Sequence, residues 1–205
     1  MAWDKGFNFR ATDTFVTDGT DETYVRGYSD EYPITRNGAT FGWGATPDVF
    51  QANRDSTVDR RLAGINYLSN DGVKGTFRVD LTATGDYTLR FALGDTASGQ
   101  QYQYAQFRDN TTAFATIDDT NGTAVDNYDD ATGVNRTEAN WPSQNATLSR
   151  TFASTILNVI MGPPSAQLNS TTFAHLFVSQ VAVAAEALGH GLLLSGIRNA
   201  VIQRV

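Results

Sequence analysis

The segment Lys74–Asp95, KGTFRVDLTATGDYTLRFALGD, constrains the fold more than any other stretch of the chain. Phe77, Val79 and Leu81 alternate with Arg78 and Asp80, and Tyr87, Leu89, Phe91 and Leu93 alternate with Thr88 and Arg90. A period of two, met twice in succession, is the pattern of β-strands with one apolar face. The link Thr82-Ala83-Thr84-Gly85-Asp86 carries a glycine that tolerates positive φ, so the simplest reading is an antiparallel hairpin. A hairpin alone leaves its apolar face wet, so this one requires a second layer.

The rest of the chain offers short strands to build that layer. Phe7 and Phe9 mark a first strand and Thr23–Tyr28 a second; Asn37-Gly38 is a strong turn signal ahead of a strand over Ala39–Trp43. Gly44–Arg61 has no sustained period and reads as an excursion over the surface, after which Leu62–Leu68 re-enters the sheet. Gln101–Phe107 and Thr112–Ile117 read as a second hairpin, and Thr147–Phe152, Thr155–Met161 and Phe173–Gln180 as the last strands. Ile156, Leu157, Val159, Ile160 and Met161 place apolar residues on both faces, as a buried central strand does. The expected fold is all-β: a jelly-roll-like antiparallel β-sandwich over residues 1–181, with 182–205 as a C-terminal arm or terminal strands. Cysteine is absent, so neither disulfides nor thiolate metal sites hold it together.

Several function classes lose their first requirement. A formal net charge of −7 opposes binding to a phosphate backbone, so no nucleic-acid partner is expected. The chain opens without an apolar signal segment and contains no long apolar run, so no membrane partner is expected and the protein reads as made and kept in a cytoplasm, with secretion as the alternative. There is no HExxH, GxSxG or glycine-rich phosphate loop, and an enzyme is not expected. His175, between Phe173 and Phe177, reads as a hydrogen-bonded core or sheet-edge residue, and His190 lies between glycines of the tail.

Three sets of residues remain as candidates. Asp118, Asp119, Asn121 and Asp126 offer hard oxygen ligands of the kind Ca²⁺ takes, but their spacing matches no EF-hand, and a solvated acidic loop without cofactor is the plainer reading. Trp43, Tyr102, Tyr104 and Trp141 sit in polar surroundings, where aromatic rings stack on sugars or anchor protein interfaces, although such rings also fill cores. Leu192, Leu193, Leu194, Ile197, Val201 and Ile202 form an apolar tail interrupted by glycines. They suit either terminal strands of the same domain or an arm that adds to a neighbouring subunit's sheet edge.

Gly6-Phe7-Asn8-Phe9-Arg10, RDSTVDRRLAGINY over Arg54–Tyr67, FALGD ending at Asp95 and AHLFVSQV over Ala174–Val181 together resemble β-sandwich proteins of tailed-phage and environmental viral genomes. The same outline is similar to the galactose-binding-like, malectin-like accessory domains of carbohydrate esterases and lyases. It departs from these in carrying Arg10 where a glycine is common and in lacking the catalytic blocks of the enzymes they accompany. The first resemblance implies a non-catalytic virion component, a capsid decoration, head fibre or tail part, made in the host cytoplasm and assembling with other virion proteins and copies of itself. The second implies a carbohydrate-binding module with glycans as partners. Far-UV circular dichroism is expected to be dominated by β-structure, with any helix after Val181; helix near the globular average of roughly 30–35% would contradict the sandwich.

Overall fold

The computed structural model describes residues 3–10, 22–27, 29–45, 49–53, 64–68, 74–93, 104–118, 128–129, 134–135, 146–162 and 172–182. They form a β-sandwich, and none of the described residues is helical. The larger sheet contains β1 (Asp4–Phe9), β2 (Glu22–Val25), β5 (Val49–Asn53), β6 (Gly64–Leu68), β8 (Gly85–Leu93), β13 (Ala146–Phe152) and β15 (Thr172–Gln180). Its order is β13-β8-β15-β1-β2, with β6 joined to β15 and β5 to β6. The smaller sheet contains β3 (Ile34–Arg36), β4 (Ala39–Trp43), β7 (Gly75–Asp80), β9 (Tyr104–Asp109), β10 (Thr112–Asp118) and β14 (Ile156–Met161), in the order β10-β9-β14-β7-β4-β3. A separate ladder pairs β11 (Tyr128–Asp129) with β12 (Val134–Asn135). Among the described strands every pairing is antiparallel except β1 with β2, which is parallel.

The two sheets close on one apolar core, and the period-two alternation supplies it from both sides. Phe7 and Phe9 of β1, Leu89 and Phe91 of β8, and Leu176 and Val178 of β15 meet Phe41 and Trp43 of β4, Phe77 and Val79 of β7, Phe107 of β9, and Leu157 and Val159 of β14. Phe77 lies at its centre, with ring centroids 5.6 Å from Phe7, 4.9 Å from Phe9, 6.0 Å from Phe41 and 5.1 Å from Trp43. These contacts are mostly edge-on or tilted, the geometry the aromatic quadrupole favours.

Most strands fall where the alternation puts them, and the β9–β10 hairpin forms as expected. The β3–β4 hairpin turns on Asn37 and Gly38, with φ of 50° and 73°; positive φ at both positions matches a turn twist that suits the flanking strands. Three readings are corrected. The segment Gly75–Leu93 is not a hairpin: β7 and β8 lie in opposite sheets, and the connection arches over the end of the core, pinned by Leu81 N donating to Thr155 O at 2.8 Å. An arch and a hairpin both present one apolar face per strand, so periodicity alone is satisfied by either. The surface excursion at 44–61 contains β5, with Val49 fully buried. β14 is a central strand, but it buries only Leu157, Val159 and Met161, while Ile156, Asn158 and Ile160 are half-buried on the outer face. Residues 183–205, the bulk of the expected arm, lie outside the described residues.

One charged cluster ties the edges of the two sheets together. Asp30 is fully buried, and its carboxylate accepts from Arg26 N at 2.8 Å, from both Arg26 Nε and Nη2, and from Arg36 Nη1 and Nη2 at 2.9 and 3.1 Å. Arg36 also donates to Tyr24 O at 2.6 Å and lies 3.8 Å from the Tyr24 ring centroid, which fastens β3 to β2 across the sandwich edge. Burial alone would raise the Asp30 pKa, but the hydrogen bonds from Arg36 and Arg26 and the charge of Arg36 outweigh it and hold the carboxyl below its ordinary value. A carboxyl depressed in the folded state stabilises the fold above its unfolded pKa, and that stability is lost as pH falls through the folded value. Asp30→Ala strands two guanidinia and is expected to cost about 3–5 kcal/mol in denaturant unfolding, with the difference from wild type shrinking as the medium is acidified below about pH 4. A loss under 1 kcal/mol, or one independent of acid, would contradict this role.

Candidate functional site

The outer face of the smaller sheet gathers the polar side chains that the core rejects. In β7 the alternation sends Thr76, Arg78 and Asp80 outward, in β14 Ile156, Asn158 and Ile160, and in β9 Tyr104, Gln106 and Arg108. Register then decides which of these become neighbours. Asn158 is paired with Arg78 on one side and Arg108 on the other, so an Arg–Asn–Arg row crosses three adjacent strands. Neighbouring strands are about 4.8 Å apart, which sets the two arginines' Cα atoms roughly 10 Å from each other. Below it runs a second row, Thr76, Ile160, Gln106 and Thr116.

Both guanidinia are held by their Nε atoms. Arg78 Nε donates to Asp80 Oδ1 at 2.8 Å, and Arg108 Nε donates to Gln106 Oε1 at 2.7 Å. Gln106 Nε2 in turn donates to Thr116 Oγ1 at 3.3 Å, and Asn158 Nδ2 donates to Asn110 O at 2.8 Å. The two guanidinia are planar donor forks on the outer face of the sheet, a group that matches carboxylates and vicinal oxygens.

Tyr32 completes the row at its β4 end. Its ring centroid lies 4.3 Å from Arg78 Cζ, and its hydroxyl donates to Asp80 Oδ2 at 2.8 Å, so one carboxylate fixes both ring and guanidinium. Burial, together with the hydrogen bond to Asp80 and the Asp80 charge, pushes the Tyr32 phenol above its ordinary pKa. The ring arrives there because Gly42 has no side chain. With φ of 152° Gly42 occupies a conformation that favours glycine, and a Cβ would stand 2.6 Å from the Tyr32 backbone. Tyr32 N instead donates to Trp43 O at 2.7 Å, laying residues 30–32 across β4.

The aromatic candidates fare differently. Trp43 is a core residue, 1% exposed, with its ring 5.8 Å from Phe9 and 5.1 Å from Phe77, so it has no face to offer a sugar. Tyr104 lies on the outer face but is 9% exposed, which leaves little ring for stacking. Tyr102 and Trp141 lie outside the described residues, as do Leu192, Leu193, Leu194, Ile197, Val201 and Ile202. Of the acidic set only Asp118 is placed, at the end of β10 opposite Tyr104, while Asp119, Asn121 and Asp126 lie outside. His175 is buried in the middle of the larger sheet rather than at its edge, beside Asn8 of β1 and with Nε2 4.0 Å from Glu22 Oε1. The structure thus brings together Tyr32, Arg78, Asn158 and Arg108; Tyr32 belongs with the aromatics that the sequence sets in polar surroundings, whereas the other three were not singled out by the sequence. The outward parity of Arg78 was the signal available.

No family model and no curated sequence matches the chain. Solved structures do resemble it. Protein YxiM from Bacillus subtilis superposes with a TM-score of 0.50 at 17% identity, over 87% of this chain and 40% of that one. A plant RALF23 peptide complex with FER and LLG2 gives 0.46 at 10% identity, over 87% and 40%, and the Agl-KA catalytic domain gives 0.38 at 15% identity, over 86% and 32%. The chain therefore spans 40% or less of the length of these three structures. At such identities the likeness is one of fold, and the YxiM match carries it: a β-sandwich.

Proposed function

We propose that this chain is a non-catalytic carbohydrate-binding module that takes acidic glycans, those bearing uronic-acid carboxylates, on the outer face of its smaller sheet. The observation that supports the reading is the Arg78–Asn158–Arg108 row, with Tyr32 beside it. Sugars carry hydroxyl pairs that planar donors and amides engage, and a carboxylate on the ring adds a charge-assisted bond to a guanidinium fork. Prior fixation of both forks by Asp80 and Gln106 lowers the ordering cost of binding. The chain's net charge of −7 would repel a polyphosphate, whereas a local pair of guanidinia can still accept isolated carboxylates. Each charge-assisted hydrogen bond lost is worth about 1.5–3 kcal/mol, so on a glycan array Arg78→Ala and Arg108→Ala are each expected to weaken binding to uronic-acid oligosaccharides roughly 10- to 150-fold. Gly42→Ala, which displaces Tyr32 from Arg78, is expected to weaken it as well. Silence of the wild-type chain toward acidic oligosaccharides, or full binding by the double arginine variant, would overturn the reading.

A second proposal, a phage-particle component that assembles through residues 182–205, is favoured by one observation. β15 ends at Gln180, and Val181, still bonded through its N to Asp86 O at 2.8 Å, is already 47% exposed. Truncation after Ala182 is then expected to leave the melting temperature within a few degrees of wild type while abolishing self-association or particle binding in light scattering. Unfolding or aggregation of the truncated chain would instead assign the apolar tail to the domain's own core.

A further inference from the structure

A sheet edge exposes a row of backbone donors and acceptors, and folded chains blunt it by capping, bulging or shortening. Most edges described here carry such a device. On β2, Glu22 O accepts from Asn37 Nδ2 at 2.9 Å and Tyr24 O accepts from Arg36 Nη1 at 2.6 Å. β3 is three residues long and follows Pro33. β10 is interrupted by a register shift between Ala113 and Ala115. β5 is crossed at Gly27, whose N donates to Gln51 Oε1 at 2.7 Å and whose Cβ, if present, would lie 2.4 Å from Val49 O.

Among the described residues β13 shows none of these. It runs seven residues, Ala146–Phe152, in unbroken register with β8 from Phe91 to Gly85, without a bulge or a proline. Among the described residues no group caps its outer backbone. Its side-chain contacts are made with the domain itself: Thr151 bonds Asp86, and Arg150 lies 5.2 Å from the Phe114 ring centroid and 3.7 Å from Asp109. Arg150 is the strand's single charge, and Thr147, Ser149 and Thr151 are exposed.

The strand also complements itself. Ser149 is its midpoint, so a second copy laid antiparallel about a two-fold axis at Ser149 sets Thr147 opposite the partner's Thr151, Leu148 opposite the partner's Arg150 and Ala146 opposite the partner's Phe152. Thr–Thr and Ser–Ser pairs are favourable across strands, and no like charges meet. We propose that β13 is a docking edge for a second copy of this chain, joining the two larger sheets into one through a two-fold axis at Ser149. Seven residue pairs bury less than a standard interface of about 1,600 Å², so the dimer is weak and reversible, with dissociation expected on the order of 10–100 µM.

Sedimentation equilibrium of the full chain from about 1 to 500 µM is expected to show the mass doubling across that range. Ser149→Lys and Ser149→Asp each place a charge against its own copy at the axis; because the side chain is exposed, the melting temperature is expected to stay unchanged while dimerisation weakens at least 10-fold. Mixed in equal amounts, the two variants are expected to recover the dimer, since position 149 then meets its opposite charge. A monomer at every concentration, a dimer indifferent to Ser149→Lys, or failure of the mixture to recover association would each overturn the proposal.

Discussion

The structure depends on one constraint: two sheets, neither able to bury its apolar face alone, meet on a single aromatic core centred on Phe77. That ring touches Phe7 and Phe9 of the larger sheet and Phe41 and Trp43 of its own. Truncating such a buried phenylalanine typically costs about 3–5 kcal/mol, a large part of a domain's net stability. Because strands alternate, fixing Phe77 and Val79 inward also fixes Arg78 and Asp80 outward. The outer-face site is therefore the other side of the same packing decision. A one-residue slip of β7 would bury both charges and expose both apolar side chains.

The polar anchors do a different task, joining segments that the core does not reach. Asp30 gathers Arg26 and Arg36 where the edges of the two sheets meet. Asp109 performs the equivalent role at the β13–β14 turn, accepting from Ala153 N, Ser154 N and Ser154 Oγ. Burial would raise the Asp109 pKa, yet the bonds from Ser154 and Ala153 and the charge of Arg150 lower it. Buried carboxylates persist here because every one of their oxygens is met by donors, the condition under which a buried charge is tolerated.

Strand identity and facing were legible in the sequence because they are local. The alternation in Thr76–Asp80 and Tyr87–Leu93 is borne out, and so is the turn at Asn37-Gly38. What the alternation could not supply is the identity of each strand's partner. β7 pairs with β4 and β14 rather than with β8, so the expected hairpin became an arch between sheets. The site shares that blindness. Asn158 lies 80 residues from Arg78 and 50 from Arg108, and only register makes the three a row. Trp43 was drawn toward function by its polar neighbours in sequence, whereas its inward position on β4 makes it core. β5 was missed because five residues, Val49–Asn53, with one buried side chain offer too short a pattern to stand out from a loop.

As a binding surface rather than a solvated sheet face, the Arg–Asn–Arg row must respond to a ligand as one unit. The most direct measurement follows the side-chain Nε–Hε signals of Arg78 and Arg108 and the Nδ2 signals of Asn158 by NMR while a uronic-acid oligosaccharide is added. These three residues are expected to shift together and to saturate at one ligand concentration, with the His175 region of the opposite sheet undisturbed. Saturable shifts confined to residues elsewhere, or none at all while the fold stays intact, would contradict it.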